Sequence, residues 1–325
     1  MGEGKDHARF TLAGGAARAR GVAFRTTQSE LAGAGAVDHD VAVALERNHW
    51  NGSVEARVVL RSLCPTRPGT IEDLAPEPAL ADAVERELAA DPTAWWPPAV
   101  PAPAHPVSDR RGEGLAALAG DLLTSGENVL LVVTDVARRR AALEATVAGM
   151  APRNLAVVGW EALGADPALA AGFDHLVAFD PPPVAEGLSL LHAASATTHL
   201  AWGAPERAFA LASWRDRLVL RPALIDLWRA LDSAGELAGA GLERALRGSG
   251  QHPRDGRHCG RLVRVLCELD LASWDASGGP RLLRGRTERT DLGKSHANAA
   301  YGARIAAAER YLSGTEQDVA RAVAM

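Results

Sequence analysis

Cysteine and lysine are scarce in this chain of 325 residues, and long apolar runs are missing. No stretch reaches the roughly 18 apolar residues that cross a bilayer. The N-terminal MGEGKDHARF is polar and has no signal-peptide core. The expectation is a cytoplasmic protein without membrane contact. Cys64, Cys259 and Cys267 are scattered and odd in number, which argues against a disulfide framework and fits a reducing compartment. A net charge of -5 excludes a polycationic chain, so any nucleic-acid site must be local. No G-x-x-x-x-G-K-[ST] loop exists to cradle phosphates, and no G-x-S-x-G elbow to raise a nucleophile. What is present, 47% hydrophobic and 23% charged residues, suits a soluble chain of two or three domains.

The pattern divides the chain into four regions. Residues 1–64 read as short alternating strands at 9–12, 20–26, 38–46 and 53–63, separated by glycine and by Asn51-Gly52, a strong hairpin signal. In the last strand Val54, Ala56, Val58 and Leu60 form the expected buried face, with Glu55, Arg57 and Arg61 on the wet one. This spacing predicts a partial, OB-like β-barrel, one strand short of five. Ten of the 19 prolines fall between Pro65 and Pro106, so residues 65–111 read as a Pro-rich linker with one short helix near 79–90. Residues 112–221 alternate helices with the continuous apolar runs at 128–134, 154–159, 174–180 and 198–203, which predicts a parallel α/β domain. Residues 222–325 read as helical and winged-helix-like. A helical stripe of Leu262, Val263, Leu266 and Leu269 precedes a hairpin, and a last helix covers about 298–312.

Candidate chemistry is sparse. The Asp-His pairs at 38–40 and 173–175 are isolated and read as solvated turns. His252, His258, Cys259 and Cys267 are too irregularly spaced for zinc. Asp180 ends a buried strand, where helicase-like folds keep a metal-binding acid, but Pro181 stands where a second acid would follow. The region reads as a sheet that kept the shape of a nucleotide hydrolase and lost its site. Ser195 and His199 lie close in sequence without forming a nucleophile pattern. No catalytic residue and no metal ligand is assigned.

Nucleic-acid binding has more support. Arg9, Arg25, Arg57 and Arg61 fall on outward strand positions, with Arg18 and Arg20 in the preceding loop. Arginine pairs phosphate bidentately and stacks on bases. Trp50 either stacks on a base or plugs the barrel end, and the turn-forming Asn48 and Asn51 beside it favour the plug. The C-terminal region adds Arg244, Arg247, Arg254, Arg257, Arg261, Arg264, Arg281, Arg284, Arg286 and Arg289, a second basic region.

One stretch, ERNHWNGSVEARVVLRSL (46–63), resembles the N-x-W-N-G turn and following strand in the oligonucleotide-binding domain of RecJ, the single-stranded-DNA-specific exonuclease family. KDHARFTLAGGAARARGVAFRT before it, and HLVAFDPPP, HLAWGAPERAFA, LCELDLASW and RTDLGKSHANAAYGARIAAAERYL after it, resemble high-GC bacterial members. The resemblance implies a DNA-gripping barrel followed by a helicase-like domain, serving a 5′–3′ exonuclease of DNA repair and recombination. It implies single-stranded DNA as ligand, and the nuclease core, a single-stranded-DNA-binding protein or a helicase as partners. The family's Mn²⁺- or Mg²⁺-dependent core carries an Asp-His-His motif that this sequence lacks. The chain therefore reads as the back half of such a protein, a fragment or split subunit with no cofactor of its own. The alternatives are an independent nucleotide- or DNA-processing enzyme built on the α/β domain, and a protein-interaction subunit without DNA contact.

Overall fold

A computed structural model describes residues 7–14, 17–27, 31, 39–50, 52–65, 71–95, 107–147, 154–192, 196–286 and 290–314. The chain forms two units, one of residues 1–70 with 147–151 and one of 71–146 with 152–325. No helix among the described residues is long and apolar enough to cross a membrane.

The first unit holds four strands, β1 (His7–Gly14), β2 (Ala17–Phe24), β3 (His39–Trp50) and β4 (Ser53–Pro65), in the order β1-β2-β4-β3. The expected hairpin is there. Trp50 pairs with Ser53, and Gly52 takes φ 79°, a left-handed conformation that glycine adopts without strain. Asn51 itself lies outside the described residues. β1 and β2 form a second antiparallel hairpin, joined to β4 by a short parallel ladder through Gly21–Val58 and Val22–Val59. The expected barrel is not closed. Closure needs a ladder between edge strands, and among the described residues none joins β1 to β3.

The expected burial of β4 is not met on either parity, since Val58, Leu60 and Arg57 are half-buried and Arg61 is exposed. Val54 and Ala56 are exposed, while Val59, between the two arginines, is only 1% exposed. Leu45 on β3, opposite Val58, is 76% exposed. Alternation fixes which residues share a face. It does not say which face the chain covers.

The second unit is built on a six-stranded parallel sheet. Its strands are β5 (Glu72–Asp73), β6 (Val107–Asp109), β7 (Val129–Val133), β8 (Leu155–Gly159), β9 (His175–Ala178) and β10 (Thr197–Leu200), ordered β5-β8-β7-β9-β10-β6. The inner strands are buried as their continuous apolar runs predict. Residues 71–95, expected as linker, belong to this unit. They supply β5 and α1 (Leu80–Ala89); residues 96–106 lie outside the described residues. Around the sheet lie α2 (Leu115–Thr124), α3 (Val136–Val147), α4 (Trp160–Ala165), α5 (Ser189–His192) and α6 (Ala204–Leu218). Trp160, Trp202 and Trp214 are fully buried in the core they share.

The remaining elements are α7 (Arg221–Ala234), β11 (Glu236–Ala238), α8 (Gly239–Arg247), α9 (Gly256–Glu268), β12 (Ala272–Asp275), β13 (Arg281–Arg284) and α10 (His296–Ser313). The helices expected at 222–231 and 259–269 and the hairpin after them are α7, α9 and β12–β13, with α8 inserted between the two helices, and a small antiparallel sheet runs β11-β13-β12. These elements share one unit and one core with the parallel sheet. Two caps set the helix starts. Asp255 accepts from the His258 amide, and Ser295 accepts from the Asn298 amide.

Helix α9 is the most enclosed of these elements. It packs on α1 through Gly256 and Gly260, because the two backbones come too close for a side chain. A Cβ at Gly260 would stand 2.6 Å from the Glu87 Cβ, and one at Gly256 would stand 2.5 Å from the Ala83 Cβ. We expect Gly260→Ala to destabilise the fold by about 1–3 kcal/mol. Gly241→Ala, on α8 with open space around it, should stabilise by up to about 1 kcal/mol. Denaturant melts of both variants check the pair, and equal effects would contradict the close approach.

Candidate nucleic-acid interface

Strand register decides which arginines meet. Arg9 pairs with Val22, Thr11 with Arg20 and Ala13 with Arg18. Paired residues share a face, so Arg9, Arg18, Arg20 and Val22 lie together. Val22 is in turn the parallel partner of Val59, which brings in Arg57 and Arg61. Five of the six arginines expected from sequence therefore lie on one face of the sheet. Arg25 does not join them by register. It sits in the turn after β2 at φ 59°, with an exposed side chain. Trp50 closes β3, but its side chain is not among those described, so neither the plug nor the platform is decided.

The same face carries aromatics that the sequence reading passed over. Phe24 is 43% exposed, and the Arg57 guanidinium lies 5.5 Å from its ring centroid. His7 meets Phe24 edge-on at 5.1 Å. The parity of Arg20, Val22 and Phe24 within RGVAF carries this signal. An exposed ring among guanidinium groups can stack on a base while the arginines hold phosphates.

Arg57 and Arg61 converge on one carboxylate. Arg57 Nη2 donates to Glu46 Oε2 at 2.8 Å, and Arg61 Nη2 donates to Glu46 Oε1 at 3.3 Å. The ladder slips by one residue here, since Ala42 pairs with Ser62 and Val43 with Leu60. Arg61 is left as a β-bulge, a device that re-aims a side chain.

A second place for chemistry is the carboxyl end of the parallel sheet. Strand order reverses between β7 and β9, the point where open α/β sheets bind ligands. Asp180 stands there, fully buried, and accepts from the Thr134 amide at 2.9 Å. Its other partner is Arg139, which forms an ion pair with it and stacks 3.7 Å from the Phe209 ring centroid. Burial pushes the Asp180 carboxyl up, and Arg139 opposes that shift. An arginine thus supplies the positive charge that a metal would bring.

Nearby, a cleft of about 1570 Å³ is lined by Asp135, Glu161, Arg217, Asp255, His258 and Arg261. These charges are paired with one another. Arg217 reaches Asp135 and Asp255, each at 3.2 Å, and Glu161 at 3.8 Å. Arg261, 1% exposed, pairs with Glu161. Burial alone would raise the Glu161 carboxyl, but Arg261, Arg257 and Arg217 hold it far below its usual range. Arg264 donates to the Leu88 and Ala90 carbonyls. The helical arginines Arg261 and Arg264, expected on a basic surface, are therefore turned inward.

At the opposite sheet end Glu127, His175 and His199 form a chain, with contacts of 2.7 Å and 3.0 Å. Among the described residues no group of three or more His, Cys, Asp or Glu side chains could hold a metal ion. The described residues therefore do not fit the divalent ions that the resemblance implies. Comparison with protein-family models, curated proteins and solved structures finds no match to this chain.

Two tests address this unit. Arg139→Ala strands a buried carboxylate and should cost about 3–5 kcal/mol, with Asp180→Asn in the same chain restoring much of it. Chemical denaturation of the single and double variants reads the coupling, and simple additivity would refute the pair. The second test is pH. Burial, His175 and Arg110 push His199 down to about 4, and burial pushes His258 down to about 4, from the ordinary 6.5. The fold therefore favours the neutral rings. Their contribution is complete above pH 6.5 and is lost as pH falls from there toward 4. Stability should fall across that window, and His199→Gln should reduce the slope by up to one proton. An unchanged slope in the variant would remove His199 from the titration.

Proposed function

We propose that the basic face of the first unit binds single-stranded nucleic acid, as the DNA-gripping, OB-type part of a RecJ-like 5′–3′ exonuclease of DNA repair and recombination. The observation that carries this reading is the shared face of Arg9, Arg18, Arg20, Arg57 and Arg61 with Phe24 exposed among them. Arginines grip phosphates without regard to sequence, and an exposed ring takes unstacked bases, which only a single strand offers freely. Strand cleavage falls to a nuclease core outside these residues, and that core takes the Mn²⁺ or Mg²⁺.

The second unit serves as a partner-docking module in this reading. Its C-terminal elements follow a winged-helix plan, but α9, the helix such a module lays in a DNA groove, is enclosed by α1 and holds Arg261 and Arg264 inside. That arrangement favours protein contact over DNA contact. The fitting partners are the nuclease core, a single-stranded-DNA-binding protein or a helicase.

The test is titration with oligo-dT over a range of salt. Arg20→Ala should weaken binding and flatten the log–log salt slope by about one unit. Phe24→Ala should cost about 1–3 kcal/mol of binding with little change in the slope. Wild-type chain that fails to bind at low salt, or binding indifferent to both changes, would sink the proposal.

A further inference from the structure

Glu46, on the edge strand β3, is an acid at the border of a basic face. Arg61 lies at the β-bulge, outside the ladder, and its guanidinium reaches the carboxylate already held by Arg57. Two guanidinium groups aimed at the two oxygens of one anion form a clamp. Phosphodiester offers the same pair of charged oxygens. The clamp is accessible, because all three side chains are at least one-third exposed.

We propose that Arg57 and Arg61 form a phosphodiester subsite, and that the Glu46 carboxylate is its resident competitor in the free protein. The subsite rests on the nucleic-acid reading above and adds regulation to it. A backbone phosphate entering the clamp exchanges with Glu46, so each engagement is offset by the loss of two ion pairs. Binding at this point is thereby weakened, and release is quick, which suits a strand that moves along its site. The exchange breaks no covalent bond and transfers no proton.

The experiment is oligo-dT titration of wild type, Glu46→Gln and Glu46→Ala, each also in an Arg57→Ala/Arg61→Ala background. Glu46→Gln keeps the side chain's shape and removes only the charge. Exposed ion pairs are worth up to about 1 kcal/mol each, so the variant should bind about three- to tenfold more tightly. The gain should vanish in the double-arginine background, and Glu46→Ala should behave like Glu46→Gln. No gain in either Glu46 variant overturns the subsite. A gain that persists without the two arginines also overturns it, since Glu46 would then act only by bulk repulsion. If Arg20→Ala and Phe24→Ala weaken binding while Glu46→Gln changes nothing, the nucleic-acid reading stands and the clamp alone falls. If no variant binds oligo-dT, both fall.

Discussion

The second unit depends on how its buried charges are matched. Arg217 and Arg261 sit beside the sheet's carboxyl end, and their partners come from four separate places. Asp135 follows β7, Glu161 opens α4, Asp255 caps α9 and Glu87 lies on α1. Hydrophobic contact alone would let these elements slide. A buried ion pair tolerates little displacement, because an unpartnered charge in the interior is far costlier than a loosened methyl contact. Register between the parallel sheet and the helices is therefore held by electrostatics in an otherwise apolar core. The same network leaves few free cations in the cleft, although arginines line it.

Arginine thus has two uses in this chain. In the first unit its side chains are exposed or half-buried beside Phe24, where water and ligand can reach them. In the second, Arg261, Arg264 and Arg304 reach inward to carboxylates and main-chain carbonyls. The guanidinium group suits both uses, since its planar fork holds several acceptors at once and stays charged when buried.

Much of the fold is legible in the sequence. The inner strands of the parallel sheet appear as continuous apolar runs, and Asn51-Gly52 marks its hairpin. Parity also places Arg9, Arg57 and Arg61 on the arginine face, whereas Arg18 and Arg20, expected in a loop, reach it from β2. Three features are not legible. β5 has only two residues, so the segment that carries it and the expected helix α1 looks like linker. Burial along β4 does not follow its apolar parity, since Val54 and Ala56 are exposed while Val59 is covered. The inward turn of Arg261 needs Glu161, 100 residues away in the chain, and no local pattern carries that pairing. The shared carboxylate of Arg57 and Arg61 was hidden for a similar reason, since a bulge is a property of two paired strands.

The anchoring of α1 bears on the order of events during synthesis. Arg304 on α10 donates to the carbonyls of Pro92 and Ala94, and Tyr301 donates to Glu87 across 214 residues of chain. The segment after α1 is thus fastened by a helix that is synthesised some 200 residues later. Until α10 emerges, Glu87 and the carbonyls at 92 and 94 lack these partners, and the parallel sheet must wait with one flank unfinished. Contacts of such long sequence separation form late and slowly. The nascent unit therefore spends most of its translation time exposed to chaperones and proteases, although its finished form is closed by a handful of hydrogen bonds.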